Sequence, residues 1–463
     1  MSKEETTAVR PFGMRDKVGY MFGDFGNDFT FLLASTWMLK FYTDVMGINA
    51  GLVGGLIAAA RILDAFTDVT MGQIVDRSKP TKHGKFKPWI RRMCGPVALA
   101  SFLIYQSAFA GMGYGFKVAW MFVTYILWGS IFYTSINIPY GSMASAVTSD
   151  AKQRTELSTW RSMGATFAGV AINVIIPLVV YDTVDGNQVL SGWKMTTIAG
   201  IFSVCAILCY LLCFNLTTER VEVPKNEEKF SLVDLLKTLF GNRALIGVIL
   251  AAICMLIGQL GMSSMMTYVY PNYYGNTTAQ SVAGLAGSAC MLIICAPLAV
   301  RLASKFGKKE LSVVSCLVGG LTFVVCLIAR PASAYGFIVY TAIAYVGLGF
   351  FSFVTWAMIT DVIDATEVKK GYREDGAIYS LYSWARKLGQ AATSGLVGAC
   401  LSAIGYTTDT AFDPDVTSGI FNLACIIPAV GLLLTAVCLA FIYPLNKKTV
   451  DANVATLAAR KAE

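Results

Sequence analysis

The sequence predicts an all-α polytopic membrane protein, and three observations carry that prediction. Hydrophobic residues make up 55% of the 463 residues and charged residues only 14%, where a soluble globule carries about 25% charged. Apolar runs of about 20 residues, the length that crosses a bilayer as a helix, recur along nearly the whole chain. Lysine and arginine gather on alternate segments between those runs, as the positive-inside rule requires. Little sequence remains for a soluble catalytic domain, so the chain is not expected to be an enzyme. The lone histidine, His83, sits in a basic polar stretch, which excludes histidine metal sites, proton relays and histidine-containing triads. The 12 cysteines lie inside apolar runs and read as small packing residues.

Charged residues and clusters of Gly, Pro and Asn divide the chain into twelve expected spans. Met1 to Lys17 is polar and charged, so the first apolar run, 18–42, reads as a span and not as a cleaved signal. The second, 50–75, ends at the basic stretch from Arg77 to Arg92; the third, 89–110, and the fourth, 118–147, are parted by Gly111, Gly113 and Gly115. The fifth, 158–180, and the sixth, 196–215, flank the polar segment from Asp182 to Gly192. After the longest polar stretch, Thr217 to Arg243, come 244–269 and 279–304, separated by Pro271 and Asn276. The last four are 311–329, closed by Arg330 and Pro331, then 336–363, 377–403 and 418–443.

This pattern predicts an N-terminal six-helix half over 1–216, a central loop over 217–243, a second half over 244–443 and a tail over 444–463. On one side of the spans lie 28 lysines and arginines, and on the other only 3, Lys117, Lys194 and Arg330. Both termini are therefore expected in the cytoplasm, with the spans in the cell inner membrane. The net charge of +8 is accounted for by this bias and needs no nucleic-acid partner. Gly72 through Asp76 to Gly84-Lys-Phe-Lys87 ends the second span, and Pro297 through Arg301 to Phe306-Gly-Lys-Lys309 echoes it at the eighth. Parallel halves of this kind are the architecture of major-facilitator transporters, with a substrate site at the midplane.

Ionisable residues inside the spans are the informative ones. Each costs about 2.5–3.5 kcal/mol near the bilayer centre unless it faces a cavity or a partner. Asp24 and Asp28 fall on the first span, and Arg61, Asp64 and Asp68 on the second. Residues four apart on a helix lie about 40° apart, so each aspartate pair shares a face, and Arg61 lies on the face of Asp64 and Asp68. Paired carboxylates beside an arginine suit either a hard cation or a carried proton. The eleventh span carries Arg386 and Lys387 among Tyr379, Tyr382, Ser383, Trp384 and Gln390. Such a lining suits a sugar, whose C–H face stacks on a ring while its hydroxyls take hydrogen bonds. On the fourth span Tyr133, Thr134 and Asn137 precede Pro139, which frees backbone carbonyls.

Longer motifs sharpen this. Asp68-Val-Thr-Met-Gly72-Gln-Ile-Val-Asp76, then seven residues, then Gly84-Lys-Phe-Lys-Pro-Trp-Ile90, resembles the signature of the glycoside-pentoside-hexuronide:cation symporters, the family of the melibiose permease. Phe41-Tyr-Thr-Asp44, Asn137-Ile-Pro-Tyr-Gly-Ser142, Asp361-Val-Ile-Asp364 and Gly376 to Gln390 extend the resemblance. It implies that Asp64 and Asp68 bind the coupling cation, H⁺ or Na⁺, and that Asp28 and Arg161 bind sugar hydroxyls with help from Tyr133 and Thr134. Lys387 would sit beside both sites. Asn137, Tyr382 and Trp384 complete the expected substrate set, and Asp24, Arg61, Arg77, Lys85 and Lys87 the gating and supporting set. Asn137 stands where the melibiose-type pattern has an aspartate, which removes a charge from the cation site. Gly141 stands where it has a tryptophan, which removes the ring on which a galactoside preference would rest.

The expected activity is symport of a sugar or glycoside with H⁺ or Na⁺ by alternating access, by a monomer with no cofactor beyond the coupling ion and its membrane lipid. The basic loop from Arg77 to Arg92 is expected to contact cytoplasmic helix ends and acidic residues. Two alternatives stand beside it: an anionic hexuronide or glucuronide as substrate, and a non-transporting sugar sensor.

Overall fold

The computed structural model describes residues 10–221, 239–372 and 375–462. Among the described residues it has twelve long helices: α1 Met14–Asp44, α2 Ala50–Arg77, α3 Lys87–Ile104, α4 Tyr114–Val147, α5 Ala151–Val179, α6 Gly192–Leu216, α7 Arg243–Tyr273, α8 Thr277–Phe306, α9 Lys308–Ala329, α10 Ala334–Lys370, α11 Asp375–Ala403 and α12 Pro414–Ile442. A tail helix, α13 Lys447–Ala462, follows. Nine of the long helices are apolar enough by length and composition to cross a membrane, which makes the chain a multi-pass membrane protein. The three that fall short are α1, α3 and α11. Helix α3 is the shortest of the twelve at 18 residues and opens with Lys87, Arg91 and Arg92, whereas α1 and α11 hold Asp24, Asp28 and Lys40, and Arg386 and Lys387.

Each expected span falls on one helix, with two departures. Helix α3 stops at Ile104, six residues short of the expected 110, and a tight turn over Ser107–Phe109 follows it. Between α5 and α6 lies a β-hairpin that the span pattern does not predict, β1 Tyr181–Val184 paired antiparallel with β2 Asn187–Leu190. Its turn residues Asp185 and Gly186 have φ of 50° and 84°; Asp-Gly is the sequence signal for such a turn, because both central residues need positive φ.

Two compact units divide the contacts. The first comprises 1–34, 63–172 and 192–228, and the second 35–62, 173–191 and 229–463. Helices α1 and α2 thus each contribute one end to either unit. In the second unit small residues permit backbone contact: a Cβ on Gly54 of α2 would lie 2.5 Å from the Ser394 carbonyl oxygen of α11, and one on Gly347 of α10 2.5 Å from that of Ser315 of α9. Such close approach is how helices associate where burial from water supplies no drive.

In the first unit the basic loop is stitched down as the motif predicts. Backbone N–H groups of Lys85, Phe86 and Lys87 donate to the Glu219 carboxylate at 2.7, 2.9 and 2.7 Å, satisfying the orphan donors that open α3. Lys87 Nζ donates to the Thr217 carbonyl at 2.6 Å and Lys85 Nζ to the Asp76 carbonyl at 3.1 Å. Arg77 is exposed. Gly84 has φ of +102°, and a Cβ there would lie 2.4 Å from the Glu219 carboxylate. The echoed position in the second half behaves alike: Gly307 has φ of +106°, with the Glu310 carboxylate in the space of its missing Cβ. Gly84→Ala is therefore expected to lose about 1–3 kcal/mol to backbone strain alone, lowering the thermal midpoint of the purified protein. Gly72→Ala, where nothing lies within 4 Å, is expected to leave that midpoint unchanged.

Candidate functional site

The first unit brings the expected cation residues against α4. Asp64 and Asp68 are one turn apart on α2, and Ser130 and Thr134 are one turn apart on α4. The Ser130 hydroxyl donates to Asp64 Oδ1, and Thr134 Oγ1 donates to Asp68 Oδ1 at 2.8 Å. Two carboxylates thus face two hydroxyls rung by rung. Over Ile126–Tyr133 helix α4 widens into π-type turns, a distortion that frequently marks functional sites because it leaves backbone carbonyls loosely held. The Gly129 carbonyl lies 3.1 Å from Thr134 Oγ1. Four oxygen-bearing side chains with two like charges suit a hard cation or a proton, either of which relieves the repulsion between the carboxylates. Thr134, expected beside the sugar, here contacts Asp68 of the acid pair, and Ser130 is a member that composition does not reveal.

A second charged group lies where α1 meets α5. Arg161 Nε donates to Asp24 Oδ1 at 2.9 Å, and its guanidinium lies 5.4 Å from the centre of the Tyr140 ring. Tyr140 stacks on Tyr20 at 4.7 Å and donates to the Tyr20 carbonyl at 2.7 Å. Gly164, three residues after Arg161, allows this approach: a Cβ there would sit 2.3 Å from the Met21 carbonyl oxygen. The Arg161 side chain is 42% exposed while that of Asp24 is 9%, so one edge of the guanidinium is anchored and the other open. Asp28, one turn after Asp24, is half-buried. Asn27 Nδ2 donates to Asn137 Oδ1 at 3.4 Å and Tyr210 donates to Asn27 Oδ1 at 2.8 Å. Asn137 therefore belongs to an amide contact with α1. Tyr133 packs against Phe31 and Trp128, ring centres 5.8 and 5.5 Å away.

Embedded acids, a guanidinium with open donors and twelve long helices describe a carrier, and comparison with known proteins agrees. The model of the family described as MFS/sugar transport protein matches residues 19–447. The chain belongs to that family. It is 30% identical to the glucuronide carrier protein homolog of Escherichia coli (strain K12), covering 96% of either chain. It is also 30% identical to the isoprimeverose transporter of Lactiplantibacillus pentosus, covering 93% of this chain and 89% of that one. Among solved structures, a D-xylose-proton symporter superposes with a TM-score of 0.64 at 13% identity, over 93% of this chain and 97% of that one. This likeness shows the major-facilitator fold. The protein is a membrane transporter, and the expectation that it is no enzyme agrees with its family.

The second unit holds the other expected residues of this family member. Arg61, only 5% exposed, donates to Gln390 Oε1 at 2.8 Å and to Ser35 Oγ at 3.0 Å, joining α2 to α11 and α1. Tyr382 is wholly buried, its hydroxyl 3.0 Å from Thr355 Oγ1. A ring with no accessible surface cannot stack on a sugar where it stands. Trp356 covers its edge at 4.9 Å and stacks on Tyr379 at 5.1 Å, with the Arg386 guanidinium 5.7 Å from the Trp356 ring. Trp384 lies about 160° round α11 from Arg386, and Lys387 about 100°. Trp356→Ala is expected to reduce sugar uptake at least tenfold and Trp384→Ala less than twofold, read as initial rates in the same membranes.

Lys40 is a charge within a span to which the sequence pattern assigns no partner. In the second unit it is 1% exposed, ion-paired with Asp44 at 2.7 Å and donating to Asn272 Oδ1 at 2.7 Å and the Tyr406 hydroxyl at 3.2 Å. Among the described residues no cluster of three His, Cys, Asp or Glu side chains suits a structural metal.

Proposed function

We propose that the chain is a cation-coupled symporter of a sugar or glycoside, working by alternating access as a monomer in the inner membrane with both termini cytoplasmic. In this reading the halves 1–216 and 244–443 are the moving bodies, joined by the loop 217–243. The observation that carries it is the pair of facing ladders, Asp64 and Asp68 against Ser130 and Thr134, together with a distinct Asp24–Arg161 ion pair. One group takes the cation. The other offers a carboxylate and guanidinium donors to sugar hydroxyls, with Asp28 and Arg161 as the hydrogen-bonding pair. Neutralising an acid on α2 then favours the loaded carrier, which is the coupling free energy symport requires. Gradient-driven uptake in proteoliposomes, over a panel of neutral glycosides with either a Na⁺ or a pH gradient imposed, tests it. Accumulation is expected under one of the two gradients, and accumulation under neither defeats the proposal.

A second reading has its own support. Relatives at 30% and 28% identity carry names that specify glucuronide and sulfoquinovose, and the open edge of Arg161 could pair bidentately with a carboxylate.

A further inference from the structure

We infer that Asp28 acts as a charge filter in this carrier, admitting neutral glycosides and excluding uronides. The inference rests on the sugar-transport reading above and names its substrate class. Where α1 meets α5 in the first unit, the mid-helix charges are Asp24 and Asp28 against Arg161. Arg161 is committed: its Nε is held by Asp24 at 2.9 Å, and that carboxylate is 7% exposed and, among the described residues of the first unit, pairs with no other cation. The one guanidinium available to a uronide carboxylate is thus already balanced by Asp24. Asp28 comes one turn later on the same face of α1, half-buried, and among the described residues it makes no hydrogen bond or ion pair. Its neighbours turn elsewhere, since Asn27 is taken by Tyr210 and Asn137.

A carboxylate in that position presents only acceptors, which two adjacent sugar hydroxyls satisfy as donors. A second carboxylate brought beside it meets like-charge repulsion in a poorly screened site. The remaining Arg161 donors orient the sugar and do not supply the net positive charge that an anion needs. Selection by charge is therefore set by Asp28, and by Arg161 only through its pairing with Asp24.

Equilibrium binding to the purified full-length protein tests this with 4-nitrophenyl glycosides of gluco and galacto configuration, each made with a hydroxymethyl, a carboxylate or an aminomethyl group at C5. The wild type is expected to bind the neutral member at least tenfold tighter than the carboxylate, and the ammonium member no more weakly than the neutral one. Asp28→Asn is expected to narrow the neutral-to-carboxylate ratio at least tenfold, and Asp28→Glu to keep it. A wild type that binds the carboxylate as tightly as the neutral glycoside overturns the filter, as does an unchanged ratio in Asp28→Asn. Loss of every ligand by an Asp28→Asn protein of unchanged thermal midpoint overturns it too, leaving Asp28 a plain anchor. Should that variant fail to fold, the wild-type order decides alone. If no member binds, the sugar-transport reading itself fails, whereas binding without ion-driven flux defeats symport and leaves the filter standing.

Discussion

Asp64→Asn and Asp68→Asn are each expected to abolish concentrative uptake while preserving sugar exchange across the membrane. Asparagine keeps the size of the side chain and still accepts a hydrogen bond from Ser130 or Thr134, whose contacts with the two carboxylates define the site. What it removes is the charge on which the cation acts. One charge moving through 100 mV supplies about 2.3 kcal/mol, enough for roughly a fifty-fold sugar gradient when each tenfold ratio requires about 1.4 kcal/mol. The wild-type gradient should approach that figure and the variants should fall to a ratio of one. Counterflow, in which labelled sugar enters against preloaded unlabelled sugar, needs no net movement of the ion and should persist. The pair also discriminates between ions. An amide resembles a protonated carboxyl, so with H⁺ as the coupling ion the variants behave as permanently loaded carriers. With Na⁺ they lose the stimulation of sugar binding by sodium. Accumulation retained by both variants would remove the coupling role from α2.

Much of this architecture is legible in the amino-acid sequence. Nearly all of the helix boundaries follow from where charges, prolines and glycines interrupt apolar runs, because each span must satisfy its backbone groups internally and so must be a long helix. The aspartate pairs are legible for a related reason: in a membrane a charge is expensive enough that its position is rarely incidental. Partners are not. Asp24 meets Arg161 across 137 residues, and Lys40 meets Asn272 across 232, and such contacts are set by which helices pack together. Ser130 and Thr134 carry a faint signal, a hydroxyl pair four apart to match the aspartate pair four apart, but hydroxyls are inexpensive in a helix and abundant in this chain. Exposure sets Tyr382, wholly buried, apart from Trp356 at 40% and Trp384 at 44%, a difference that composition does not carry.

Lys40→Met is expected to be among the most destabilising single changes in the chain. Lys40 Nζ is surrounded by Asp44 Oδ2, Asn272 Oδ1 and the Tyr406 hydroxyl at 2.7, 2.7 and 3.2 Å, and lies 4.4 Å from the centre of the Tyr268 ring. Tyr406 in turn donates to Asp44 Oδ1 at 2.7 Å, and Asn272 Nδ2 to the Ala411 carbonyl at 3.1 Å. Asp44 Oδ2, Asn272 Oδ1 and the Tyr406 oxygen thus each face the ammonium. Methionine fills the same volume, so packing changes little and the lost charge decides the outcome. Removing one member of a buried ion pair strands the other and typically costs about 3–5 kcal/mol, whereas replacing both is far milder. Lys40→Met should therefore lower the thermal midpoint of the purified protein markedly, and Lys40→Met with Asp44→Asn should recover most of the loss. The interaction energy from that double-variant cycle separates the pair from packing effects. Equal midpoints for the single and double variants would show that the ammonium contributes through its stem and not its charge.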